Sequence, residues 1–172
     1  MLFLHSAGAS SEIWQYQHAY FLEAGYRVAA FDRRGHGRSE PTATGYDADT
    51  LADDLARTID VRGLQAITLI GHSVGCGKIV RYLARHGAER IARIILVGTT
   101  TPFLWQTADN PTGIERTGFE SLRGGWRQDY PRWLAENARP FSSRRPAKPC
   151  SNGCSSRCPG LPSALPSRAT EP

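Results

Sequence analysis

The chain has 172 residues, enough for one domain, with 21 lysines and arginines against 16 acids and a formal net charge of +5. That excess sits at positions 142–172, which carry five basic residues and one acid, so positions 1–141 hold 16 basic residues against 15 acids and offer no electrostatic footprint for nucleic acid. No apolar run approaches the length of a membrane helix, and Leu2-Phe3-Leu4 is too short for a signal-peptide core, so the expectation is a soluble cytoplasmic protein with no membrane partner.

In chain order, Leu2-Phe3-Leu4-His5 reads as a short apolar strand running into the small-residue loop Ser6-Ala7-Gly8-Ala9-Ser10. A helical pattern follows around Ile13, Trp14, Tyr20, Phe21 and Leu22. Arg27-Val28-Ala29-Ala30-Phe31 is a second strand, ending in the loop Asp32-Arg33-Arg34-Gly35-His36-Gly37-Arg38-Ser39. Tyr46 to Val61 predicts a helix with Leu51, Leu55 and Ile59 on one face and Asp47, Asp49, Asp53 and Asp54 in its N-terminal half, where the helix dipole favours acids; Gly63 breaks it. Ala66-Ile67-Thr68-Leu69-Ile70 is a third strand, Cys76 to His86 a helix stopped by Gly87, and Arg93-Ile94-Ile95-Leu96-Val97 a fourth strand. Continuous rather than alternating apolar runs imply strands buried on both faces of a parallel sheet. From Thr99 to Pro140 the pattern turns irregular and aromatic.

Between the third strand and its helix lies Gly71-His72-Ser73-Val74-Gly75. A strand-to-helix turn this sharp brings neighbouring chain close to the positions two before and two after its centre, and Gly71 and Gly75 supply the small residues needed there. The turn exposes the Ser73 hydroxyl, and the next amide, that of Val74, lies at a helix N-terminus where unpaired N–H groups favour negative charge. A nucleophile and an oxyanion donor are thus placed side by side. A Gly/Ser-rich connection without chemistry is the plainer reading of the pentapeptide alone.

These three motifs, in this order and spacing, resemble the α/β-hydrolases, especially their serine esterase and cofactor-free haloperoxidase-like branch. The resemblance covers Leu2 to about Phe141. It implies a partial α/β-hydrolase domain over 1–141, with a core over 1–100 and the start of a cap over 101–141, and the four strands in the spatial order second, first, third, fourth. It implies acyl transfer on small carboxylic esters through Ser73, with no cofactor, and an oxyanion held by the backbone N–H groups of Val74 and Ala7. His5, Gly71, His72 and Gly75 would support the turn and the loop beside it. Perhydrolase or haloperoxidase side activity would fit the same site.

The resemblance also implies what this sequence lacks: flanking strands at both ends, and an acid and a histidine in the order Ser, Asp or Glu, His. None of the histidines considered meets the requirement. His86 lies thirteen residues beyond Ser73 on one helix, His72 points into the fold, His36 belongs to a structural loop, and His5 shapes the oxyanion loop. Asp109 is the best acid by position. The expectation is therefore a chain with little esterase activity of its own, an inactive hydrolase fragment or a non-catalytic binding protein on the same fold being the alternatives.

Positions 142–172 hold six of the eleven prolines and three of the four cysteines with no apolar period, which predicts a disordered low-complexity tail, from an out-of-frame or chimeric end. Cys150, Cys154 and Cys158 lack a fourth ligand, so no metal site is expected. Cys76 reads as a packing residue. Arg33, Arg34 and Arg38 read as a solvated or ion-paired loop. Gly71 to Lys78 looks like a phosphate loop but places His72 where its first glycine belongs and Ile79 where a hydroxyl must meet magnesium.

Overall fold

The computed structural model describes residues 1–101 and 104–137. The expected boundary near Phe141, the tail over 142–172 and its three cysteines lie outside the described residues. The chain divides into two compact units, Met1–Phe119 and one beginning at Glu120.

The first unit is built on a parallel four-stranded sheet of order β2-β1-β3-β4, where β1 is Leu2–Leu4, β2 Ala29–Phe31, β3 Ile67–His72 and β4 Ile91–Val97. This is the expected spatial order, with crossover helices as expected of an α/β fold. A 3-10 turn at Ser11–Trp14 leads into α1 (Gln15–Glu23), α2 (Ala48–Val61) joins β2 to β3, and α3 (Val74–His86) joins β3 to β4.

Strand alternation sorts the core between two faces. Leu2, Leu4, Ile67 and Leu69 point to the face covered by α2 and α3, where they meet Ala52, Leu55, Ile59, Ile79 and Tyr82. Phe3 and Ile70 point to the opposite face, against Trp14 and Phe21. Hence β1, apolar throughout, and β3, with Ile67, Leu69 and Ile70, are covered on both sides, which is why their apolar residues do not simply alternate.

β4 corrects that rule. It carries the same apolar run, yet Ile94, Ile95, Leu96 and Val97 are all exposed. It is an edge strand, hydrogen-bonded on one side only to β3, and the described helices leave its faces open.

The acids of α2 have more specific partners than the helix dipole. Asp47 caps the helix, accepting the Thr50 N–H at 2.9 Å. Asp49 pairs with Arg81 and, at 3.3 Å, with Arg85; Asp53 takes Arg85 at 3.0 Å and His86 at 2.7 Å. These exposed pairs line up α2 with α3, each contributing little by itself. At the far end of α3, Gly87 adopts φ 76°, the left-handed conformation that ends the helix.

The stretch read as irregular contains α4, Arg116–Asn137. Its continuity is broken at Asp129 (φ −159°, ψ 89°), where the Asp129 carboxylate accepts the Arg132 N–H at 3.0 Å and starts a second helical segment with Pro131 in its first turn. In the unit beginning at Glu120, Trp133 packs edge-on against Trp126, ring centres 5.4 Å apart, and stacks on Tyr130.

Candidate active site

The register of the sheet sets the site. Leu4 of β1 lies opposite Gly71 of β3, so the loop after β1 and the turn after β3 emerge side by side at the carboxyl ends of two central strands. Ser73 occupies the turn with φ 53° and ψ −119°. A non-glycine residue at positive φ is strained, and persists only where the surroundings fix it. Here the Ser73 N–H donates to the Val97 carbonyl at the end of β4 (2.9 Å), and the Ser73 carbonyl accepts the Cys76 N–H (2.9 Å). The backbone is tied from both sides.

The two glycines are required by backbone, not by side chains. A Cβ on Gly75 would lie 2.6 Å from the Leu4 carbonyl oxygen and 3.1 Å from that of His5; one on Gly71 would lie 2.8 Å from both the Cys76 nitrogen and the Gly75 carbonyl carbon. Neither neighbour can rotate away. The start of α3 therefore sits directly on the end of β1, and Cys76, fully buried, donates its Sγ–H to the Gly71 carbonyl at 3.2 Å, a packing role as expected.

Val74 opens α3, so its N–H has no intrahelical acceptor. Ala7 lies exposed in the loop after β1, next to Gly8 at φ 62°. Val74 follows Ser73 directly, and Ala7 lies three residues beyond Leu4, which pairs with Gly71.

His5 is 1% exposed and spends both ring nitrogens on structure. Its Nε2 accepts the Arg33 N–H at 3.1 Å, so Nδ1 carries the proton and donates to the Ser6 carbonyl at 2.8 Å. Burial, together with the charges of Lys78 and Arg33, lowers its pKa to about 4 despite that bond. It is a neutral strut joining the loops after β1 and β2.

Of the other histidines, His36 and His86 make polar contacts, and His72 and His18 make ring contacts. The His36 Nδ1–H donates to the Arg34 carbonyl at 3.1 Å while Nε2 accepts from Arg33 at 2.7 Å, and burial keeps its pKa low. The His72 ring meets Trp14 edge-on at 6.3 Å. His86 pairs with Asp53, and His18 lies against Phe3 with a buried, unpartnered Nε2. Among the described residues nothing hydrogen-bonds the Ser73 hydroxyl. Asp109 stands exposed in the turn closed by Thr107 and Asn110, its side chain without a hydrogen bond or ion pair among the described residues.

The loop after β2 is held by its own first residue. Burial alone would push the Asp32 carboxyl up, but the N–H groups of Arg38 (3.0 Å) and Ser11 (2.6 Å) hold it below the usual range. Of the three clustered arginines, Arg34 forks onto Asp54 with two contacts of 2.7 Å and Arg38 approaches Asp32 at 3.9 Å. Among the described residues the Arg33 guanidinium hydrogen-bonds only the neutral His36. Lys78, on α3 one turn after Gly75, is 5% exposed; in sequence it stands out only through the resemblance of Gly71 to Lys78 to a phosphate loop.

Among the described residues no group of three or more His, Cys, Asp or Glu side chains could hold a metal ion, and no helix is long and apolar enough to cross a membrane.

Residues 1–145 match the family model described as alpha/beta hydrolase fold. The chain is 42% identical over 123 residues to a non-heme haloperoxidase of Rhodococcus erythropolis, an alignment covering 72% of this chain and 45% of that protein. Among solved structures it resembles an esterase from Exiguobacterium antarcticum, with TM-score 0.78 and 34% identity over 81% of this chain and 52% of that one. A bromoperoxidase from Bacillus anthracis superposes with TM-score 0.74 and 34% identity over 78% of this chain and 49% of that one. The chain spans about half the length of the curated relatives it matches.

Proposed function

Because the chain belongs to the α/β-hydrolase family, with esterases and non-heme haloperoxidases among its relatives, we propose that Ser73 is the nucleophile of an acyl transfer on small carboxylic esters. The observation that carries this reading is the Ser73 backbone, held at φ 53° and ψ −119° at the carboxyl end of a central strand. Strain of this kind costs of order 1–3 kcal/mol and clusters at functional sites.

In the proposed reaction the Ser73 hydroxyl attacks the ester carbonyl carbon and loses its proton to a base. The carbonyl oxygen becomes an oxyanion, which the N–H groups of Val74 and Ala7 would receive. Collapse expels the alcohol and leaves an acyl-serine that water hydrolyses. The nucleophile-elbow role of Gly71 and Gly75 and the supporting roles of His5 and His72 belong to this same reading.

The placement of the five histidines supports a further element of it: this chain by itself turns esters over slowly. His5 has no free nitrogen, His36 and His86 spend ring nitrogens on Arg33, Arg34 and Asp53, and His18 and His72 lie against Phe3 and Trp14 with no hydrogen bond to Ser73. Without a base Ser73 keeps the high pKa of an ordinary hydroxyl. Loss of triad members leaves roughly 10³–10⁴-fold catalysis over water from oxyanion binding and substrate contacts. The same placement favours, as the second reading, an inactive hydrolase fragment or a binding protein on this fold.

A fluorophosphonate in excess distinguishes them. With imidazole supplied as the base, the acyl-transfer reading expects an adduct mapped to Ser73 and lost in Ser73→Ala; ligand-induced stabilisation without any adduct would favour the binding protein.

A further inference from the structure

Lys78 has no part in the chemistry proposed for Ser73, yet it is the most unusual charged group in the fold. It follows Gly75 by three positions on α3, and Gly75 rests on the backbone of Leu4 and His5, so Lys78 shares the face turned toward the loops after β1 and β2. Only 5% of it is exposed, and no hydrogen-bond or salt-bridge partner meets its amine among the described residues. Among the described residues the side-chain nitrogens and oxygens sealed from solvent without a partner are those of Trp14 and His18, so the Lys78 Nζ keeps a narrow opening to solvent.

Its surroundings are cationic. Arg33 bears on Lys78, and both act on His5 and His36. The one carboxylate bearing on Lys78 is Asp54 of α2, already forked by Arg34 at 2.7 Å. A buried ammonium beside a guanidinium, with no free acid, is a poor state for both groups. Burial first, and Arg33 second, bring the amine down to about 7, so slightly above neutrality it is largely the free base.

We propose that Lys78 is a carbamylation site, its Nζ taking up carbon dioxide to form a carbamate anion that faces the Arg33 guanidinium. The amine lone pair attacks the carbon of carbon dioxide, forming an N–C bond as one C–O π pair moves onto oxygen. The nitrogen then releases a proton to solvent. Amine and carbon dioxide thus give carbamate and one proton, with no oxidation or reduction. The modification replaces a like-charged buried pair with an opposite-charged one and gives Arg33 the planar anionic partner it lacks. The narrow opening favours a small, neutral, linear electrophile over bulky or charged acylating reagents.

The test is direct because the chain has only one other lysine, Lys148. The full chain is equilibrated with ¹³C-labelled bicarbonate at about pH 8, where such an amine is unprotonated. Carbamate is trapped by O-alkylation with a trialkyloxonium reagent, and the modified peptides are located by mass spectrometry. The label is expected on Lys78 in the wild type and in Lys148→Arg, is lost in Lys78→Met, and falls away below about pH 7 as the amine protonates. Bicarbonate should raise the Tm of the wild type and leave Lys78→Met unchanged. A folded wild-type chain with no trapped carbamate at Lys78, or with label only at Lys148 or the N-terminal amine, overturns the proposal; peptide mapping of the wild type decides even if Lys78→Met does not fold.

Discussion

Gly71 and Gly75 show how far residue chemistry can be read from sequence. The need for small residues on either side of Ser73 is legible in the pentapeptide, but its cause is not: both are crowded by backbone from elements distant in sequence or from the next turn. Gly75→Ala and Gly71→Ala are each expected to destabilise by about 1–3 kcal/mol, as over-packing against immovable atoms does. Gly77, on the same helix with open space around it, is the control; Gly77→Ala should stabilise by about 1 kcal/mol through helix propensity. Urea titration of the three variants measures this, and equal effects would refute the backbone explanation. Ser73→Gly removes the strain of a positive φ and should gain about 1 kcal/mol while abolishing any fluorophosphonate adduct. A loss of stability in that variant would mean that the turn is not strained.

At the scale of elements, β1, β3 and α3 were legible because each has one strong pattern, and the boundaries moved by only a few residues. α4 was not. Gly124, Gly125 and Pro131 inside it are residues that ordinarily interrupt a helix, and the Asp129 cap restarts the helix around the proline. Lys78 was legible in principle, since Cys76, Ile79 and Tyr82 mark the buried face of α3 and position 78 falls among them, but no sequence pattern shows that its neighbours are cations. Its stability effect has a definite sign. The folded pKa of about 7 lies below the ordinary 10.5, so the folded chain binds fewer protons than the unfolded one between those values and stability rises with pH across that window. In carbon-dioxide-free buffer Lys78→Met should therefore melt several degrees above the wild type near pH 7, the gap closing toward about pH 10. A pH-independent gap would show that the lysine is paired or solvated.

The whole molecule inherits its behaviour from the sheet edges. Among the described residues β4 presents Ile94, Ile95, Leu96 and Val97 to solvent beside a sheet edge with no further strand, an arrangement that templates association between copies. The chain should self-associate at micromolar concentration, and Ile95→Lys, placing a charge on an exposed edge position at little cost to the core, should shift sedimentation toward monomer. An unchanged oligomer distribution would move the association elsewhere. The exposure was foreseeable only by counting strands, since the residues of β4 differ in no way from those of a buried strand.

Chemical rescue tests the central claim, that Ser73 is a nucleophile deprived of its base. Hydrolysis of p-nitrophenyl acetate is measured for the wild type and for Ser73→Ala with increasing imidazole, each corrected for imidazole alone. A positioned general base contributes about 10²–10⁴-fold, of which a diffusible one recovers a part. The account predicts slow hydrolysis by the wild type that imidazole accelerates saturably, and no acceleration in Ser73→Ala. Identical imidazole responses in the two proteins, or wild-type turnover without imidazole that matches a full-length esterase relative and vanishes in Ser73→Ala, would contradict it.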